Sequence, residues 1–382
     1  MIKLIKNTFY HETWTKLRLM WFILWAKQLS FGKKCELFEK EFSKWQGRDD
    51  SIFVNSGSSA NLALIQALLN LGYLKKGDRV GFSALGWSTT VMPLIQLGLK
   101  PVPIDVEDYS LNIESVPENI KCLFMTNLLG ICSYKTNTIA INCKQKNIML
   151  LEDNCESLGS IYAGYYGKNK IKLGNFGLAS TFSFYVGHHM STIEGGMVCT
   201  NDKKLARELR IVRAHGWDRN LDVRTQDTIR KQYGVSTSFY SRYTFYSLGY
   251  NLRPTEIAGY LGLLQLPYLK EIVDKREAIY QYLLRHINRG TINPTWMTKH
   301  SAFAFPIICK TSRERDELVK RCSGKIEVRP IVGGDLTSQP FYNFKTTGVT
   351  TARKIHETGL YIGINPDMTQ SDLDTIVEVV NG

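Results

Sequence analysis

Between residues 50 and 155 the chain repeats one pattern: a short apolar run, a turn of small or polar residues, then a stretch of helix length. Residues 51–55, 78–82, 101–105, 121–126 and 148–153 are the apolar runs, and residues 62–69 and 88–99 read as helices between them. Short runs that are apolar on both faces suit strands covered by helices on both sides, which is the environment of a parallel sheet. The pattern predicts βαβ units and an α/β fold. The composition permits a large core, with 43% hydrophobic and 22% charged residues in 382. A disordered chain is excluded on that balance.

The pattern changes near residue 255. Two helices are expected over 255–266 and 269–285, then strands near 303–308 and 326–330 and a helix after Ser371. The expected division is a large domain, 1–252, with a mostly parallel central sheet and an N-terminal helical segment, and a smaller α+β domain, 253–382. The first 50 residues read as helical, with 34–45 amphipathic. The apolar run 19–26 is short of the roughly 20 residues that a membrane span needs. It suits a helix that packs against something, or else a peripheral membrane contact; membrane insertion is not expected.

Lys and Arg exceed Asp and Glu by 48 to 35, a net charge of +13. The basic residues are scattered, Lys168, Lys170 and Lys172 forming one denser stretch, so a nucleic-acid partner is not expected. The eight Cys include no C-x-x-C pair, which argues against a zinc ribbon. Dispersed Cys and an N-terminus without an export signal suggest the cytoplasm.

Several segments can carry chemistry. Ser56-Gly57-Ser58-Ser59 joins a strand to a helix, where free N–H groups and a close backbone approach suit an anion such as a phosphate; the same letters also suit a plain helix cap. Glu152-Asp153-Asn154-Cys155-Glu156 follows an apolar strand, at the sheet edge where ligands bind in open α/β folds, although an N-capping acid has the same pattern. His188 and His189 are adjacent, so their side chains point apart and a shared metal is not expected. Arg213-Ala214-His215-Gly216-Trp217-Asp218-Arg219 and Gly249-Tyr250-Asn251-Leu252-Arg253-Pro254 are weak signals alone.

In this order the segments resemble the fold-type I pyridoxal-phosphate (PLP) superfamily, aspartate aminotransferase-like. Within it the chain is similar to the nucleotide-sugar aminotransferases and dehydratases of the DegT/DnrJ/StrS family, from about Ser30 to the end. The resemblance implies that Gly57, Ser58 and Ser183 hold the cofactor phosphate and that Trp87 stacks on the pyridine. It implies that Asp153 pairs with the ring nitrogen and that Glu156 stands where aminotransferases tend to have glutamine. Asn251 would complete the phosphate site of a neighbouring subunit, in a homodimer with shared active sites. His215, Arg219, Arg253 and Arg329 would contact substrate.

The departure is at His188, where the family's aminotransferases carry lysine. No lysine occurs between Lys172 and Lys203. Without an ε-amine the cofactor cannot be held covalently, whereas an imidazole still serves as a base. The family's Lys-to-His members are sugar 3-dehydratases. The resemblance therefore implies C3 dehydration of a nucleotide-linked 4-keto-6-deoxyhexose, with GDP-4-keto-6-deoxymannose as the expected GDP-sugar. The cofactor would be non-covalent pyridoxamine phosphate (PMP), restored from PLP by L-glutamate. A second dehydratase group in the family uses an iron–sulfur cluster on CDP-sugars; such a cluster needs grouped thiolates, and none lies between Cys199 and Cys309, so no cluster is expected. The alternatives are a PLP-dependent nucleotide-sugar 4-aminotransferase of the perosamine-synthase kind and a non-catalytic homologue.

Overall fold

A computed structural model describes residues 1–164, 170–235 and 237–382. Lys168 of the basic stretch lies outside the described residues. The strands are β1 (Asp50–Val54), β2 (Arg79–Ser83), β3 (Lys100–Ile104), β4 (Cys122–Thr126), β5 (Met149–Asp153), β6 (Ile161–Tyr162), β7 (Ile171–Lys172), β8 (Ala179–Ser183) and β9 (Gly196–Thr200). Further along come β10 (Met297–Lys299), β11 (Ala304–Ile308), β12 (Val328–Pro330) and β13 (Gly359–Gly363). The helices before residue 150 are α1 (Glu12–Trp25), α2 (Lys33–Gln46), α3 (Gly57–Asn70), α4 (Ser88–Gln96) and α5 (Thr136–Gln145). They are followed by α6 (Lys203–Arg213), α7 (Val223–Gln232), α8 (Ser238–Ser241), α9 (Glu256–Gln265), α10 (Leu269–His286), α11 (Ser312–Cys322), α12 (Thr351–Thr358) and α13 (Gln370–Asn381).

The expected strands and helices are present, and a seven-stranded sheet in the order β1-β9-β8-β5-β4-β2-β3 forms the centre. The strands from β8 to β3 pair in parallel, as the apolar runs predict. β9 is the exception, antiparallel to both β1 and β8. No crossover helix separates β8 from β9, so the chain returns beside the strand it has just left. That return sends residues 184–195 over the carboxyl ends of β5 and β8. In register, Asp153 pairs with Thr181, while Ser183 and Val54 both pair with Gly196. Gly196 is obligatory there, since a Cβ would lie 2.1 Å from the Ser56 carbonyl oxygen.

Alternation along β1 divides the core: Ile52 packs under α3 and α6 with Leu64 and Leu209, while Phe53 faces Phe38, Phe42, Phe182 and Phe184 beneath α2. β11, β13 and β12 form a three-stranded antiparallel sheet. α10 belongs to two cores. Leu269 and Val273 join the Phe38 cluster, and Ile279, Tyr280 and Leu283 pack with Phe305 and Ile362. The small sheet β10-β6-β7 has no counterpart in the sequence reading, because its strands are too short to show a period.

Neighbouring residues of β5 serve opposite sides. The fully buried Glu152 carboxylate accepts from the backbone N–H groups of Gly174 (2.8 Å), Phe176 (2.7 Å) and Gly177 (2.9 Å) and so fastens the turn before β8. Glu152→Ala strands these donors. It is expected to lower the unfolding free energy by about 3 kcal/mol or more, measured by urea denaturation.

Candidate active site

The carboxyl edge of β5 and β8 opens into a cavity of about 490 Å³. Ser56 caps α3, accepting from the Ser59 N–H at 3.0 Å, as the plain capping reading expects. The turn nevertheless faces the cavity. Gly57 is glycine for reasons of space, because a Cβ would sit 2.7 Å from Ser183 Cβ and 3.0 Å from Cys155 Sγ. Ser58 follows in the first helical turn, its hydroxyl donating to Thr89 Oγ1 at 3.1 Å. Unpaired N–H groups, the positive end of the helix dipole and the Ser183 hydroxyl converge there on a volume that suits a phosphate.

Asp153 is not a helix cap. Asn61 Nδ2 (3.0 Å) and Thr90 Oγ1 (2.7 Å) donate to one of its oxygens, and the Cys155 N–H (3.1 Å) donates to the other. The carboxylate is buried at the floor of the cavity, in a fixed orientation that suits a protonated ring nitrogen. Trp87 precedes α4 and is 54% exposed at the cavity wall, leaving a free aromatic face. Phosphate turn, aromatic face and carboxylate all line the same cavity, so the residues present fit a pyridoxal-type cofactor.

His188 lines the same space. Its Nδ1 lies 2.6 Å from the Cys155 carbonyl oxygen. A carbonyl only accepts, so Nδ1 carries the proton and Nε2 keeps its lone pair. Burial, with the charge of Arg276 acting in the same direction, lowers the pKa of His188 to about 4. The ring is thus a neutral base at physiological pH. Phe303 meets it edge-on at 5.2 Å, and Arg276 Nη2 donates to the His188 carbonyl at 3.1 Å. His189 turns away, its Nε2 lying 2.8 Å from the Ser301 carbonyl. Glu156 takes the Leu129 N–H at 3.0 Å, and burial, aided by the nearby Asp153 charge, raises it to about 8. The cavity is thus lined by a neutral acid and a neutral base. No lysine lines the cavity among the described residues.

Of the residues expected to contact substrate, Arg329 reaches the cavity from β12 and pairs with Glu327 at 2.7 Å. His215, Arg219, Arg253 and Asn251 do not line it. They gather elsewhere. Asn251 bridges to Ala214 and accepts from Arg253 Nε at 3.0 Å; the Arg219 guanidinium lies 4.0 Å from the Trp217 ring and 4.9 Å from that of Tyr243. Nor does Asn251 cap α9, as its place before that helix allows: the cap is Thr255. Sequence reasoning assigned no role to Asn61, Thr90 and Arg276. Asn61 lies one turn after Gly57 on α3, which is the available signal; Thr90 and Arg276 come from other elements and give none.

A profile of the DegT/DnrJ/EryC1/StrS aminotransferase family matches residues 16–381, beginning ahead of the Ser30 at which the motifs start. Among curated proteins, the chain is 35% identical over 365 residues to a GDP-4-keto-6-deoxy-D-mannose 3-dehydratase of Yersinia pseudotuberculosis, covering 89% of each chain. A crystal structure of an H188N mutant of GDP-4-keto-6-deoxymannose-3-dehydratase with bound GDP-perosamine superposes with a TM-score of 0.88 at 31% identity, covering 100% of both chains. Another structure of that enzyme, with a trapped PLP-glutamate geminal diamine, gives 0.87 at 31% identity, again over 100% of both.

Gly57→Ala tests the phosphate turn. The added methyl must displace Ser183 or Cys155, an overpacking cost of about 1–3 kcal/mol. PLP affinity, followed by absorbance titration, is expected to fall about ten-fold or more.

Proposed function

The chain belongs to the DegT/DnrJ/EryC1/StrS aminotransferase family, and from that premise we propose that it is a PMP-dependent 3-dehydratase of GDP-4-keto-6-deoxymannose. The observation that carries the reading is His188: a neutral imidazole, with Nε2 available, in a cavity whose described lining has no lysine. The product is a 4-keto-3,6-dideoxy sugar.

Bound PMP supplies an amine for the C4 ketone of the sugar and a ring that holds the electron pair released at its C4′ carbon. Gly57, Ser58 and Ser183 hold the phosphate, Trp87 covers one ring face and Asp153 pairs with the protonated ring nitrogen. His188 Nε2 takes the C4′ proton and returns a proton to the departing C3 hydroxyl. The Nδ1 bond to the Cys155 carbonyl keeps the ring in the tautomer this requires. Glu156 is the second proton donor in the cavity, beyond what the sequence offered. The nitrogen leaves the sugar as ammonia on hydrolysis to the 4-ketone, and L-glutamate restores the amine and leaves as 2-oxoglutarate, in keeping with the PLP-glutamate adduct of the related structure. An aminotransferase would need an ε-amine in the place of His188.

Two cationic groups, Arg219 and Arg253, stand with Asn251 away from the cavity of their own chain. We infer a two-fold dimer in which this cluster completes the partner's phosphate and nucleotide site. Among the described residues no helix is long and apolar enough to cross a membrane.

His188→Asn is expected to retain PMP binding and lose dehydration by about 100-fold or more, read by mass spectrometry of the product from GDP-4-keto-6-deoxymannose, PMP and glutamate. The pH profile of kcat/KM is expected to be flat near neutrality. It falls at the acid side as His188 protonates near about 4, and at the alkaline side as Glu156 ionises near about 8. Mixing His188→Asn chains with Asn251→Ala chains under subunit exchange is expected to restore activity, because each heterodimer carries one site with both lesions and one with neither. Mixtures that stay inactive would count against shared sites and leave the chemistry at His188 untouched.

A further inference from the structure

α1 has its apolar surface on the wrong side for a helix that only packs. It rests on α9 through Thr15 and Phe22, with the half-buried Leu19 on the same face. The Thr15 hydroxyl meets Gln265 Nε2 at 2.9 Å, and Phe22 stacks on Tyr260 with ring centroids 4.3 Å apart. Trp14, Leu17, Met20, Trp21, Leu24 and Trp25 recur at the spacing of the opposite face. They stand in solvent, Trp14 at 57%, Trp21 at 59%, Leu24 at 67% and Trp25 at 76% exposure. Single exposed apolar residues are ordinary, but a contiguous stripe of tryptophan, leucine and methionine marks a contact surface.

The charges around the stripe decide what covers it. Residues 12–34 include Lys16, Arg18, Lys27, Lys33 and Lys34 against the single acid Glu12, which is itself paired with Lys16. A second copy set against this face about a two-fold axis would oppose these cations to their own kind. An anionic lipid surface complements them, and tryptophan prefers the boundary between headgroups and acyl chains. At 14 residues α1 is about 21 Å long, too short to span a bilayer but sufficient to lie in its surface.

We propose that α1 is an interfacial docking helix that seats the enzyme on an anionic membrane surface, its Trp21–Leu24–Trp25 edge entering the headgroup region while Lys16, Arg18 and Lys27 meet lipid phosphates. The catalytic cavity plays no part in this contact.

Vesicle flotation of the full-length protein tests it. With vesicles of phosphatidylglycerol and phosphatidylcholine in equal parts, binding is expected to be about ten-fold or more above that with phosphatidylcholine alone. It is expected to weaken strongly near about 0.5 M salt. Replacing Trp21 and Leu24 together by Ser is expected to lower binding about ten-fold or more. In the unaltered protein, brominated lipid in the anionic vesicles is expected to quench tryptophan fluorescence. Absence of anionic-vesicle binding, or binding without such quenching, would overturn the proposal. So would a change from dimer to monomer in sedimentation of the Trp21→Ser, Leu24→Ser protein, which would assign the stripe to a second copy.

Discussion

The hydrogen-bonded carboxylate of Asp153 is the point from which the rest of the site is measured. It ends β5, and the two residues that donate side-chain hydrogen bonds to it, Asn61 and Thr90, come from α3 and α4. One buried group thus ties the middle of the sheet to both helices whose amino ends face the cavity. The same α3 starts at Gly57, where the phosphate turn is pressed against Ser183 so closely that no Cβ fits. Cavity floor, glycine turn and buried carboxylate therefore share one rigid frame. Glu152, one residue earlier and on the opposite side of the strand, holds the turn that leads into β8.

The reactive imidazole is set on that frame by backbone rather than by a second carboxylate. The Cys155 carbonyl belongs to the segment just beyond Asp153, so the group that fixes the tautomer of His188 moves with the carboxylate on the cavity floor. Arg276 holds the His188 carbonyl from α10 and, through Ala302 (3.1 Å) and Ile364 (2.5 Å), holds the C-terminal sheet as well. Its buried charge helps keep the imidazole neutral, while the Asp153 charge helps keep Glu156 protonated. Opposite shifts at neighbouring groups provide a base and an acid near neutral pH from ordinary side chains.

The antiparallel return of β9 has a functional consequence. A further crossover helix after β8 would have carried the chain away from the carboxyl edge. The direct return instead leaves residues 184–195 lying across it, and His188 is in that loop. Asn251, Arg253 and Arg219 gather away from the cavity of their own chain.

The sequence by itself determined the strands and helices of the α/β half, because each apolar run carries its own period and ends at its own turn. It also determined that the segment carrying His188 has no lysine, since the absence of lysine between Lys172 and Lys203 is a property of the string of letters. Gly57, Asp153 and Ser183 were legible for the same reason, each sitting at a strand end that local pattern marks. Tertiary structure alone decided the direction of β9, the tautomer and protonation of His188, the raised acidity range of Glu156, the positioning roles of Asn61, Thr90 and Arg276, and the side of α1 that faces solvent. These follow from hydrogen bonds, burial and charges contributed by residues distant in the chain, and a local pattern contains no record of which distant groups will meet.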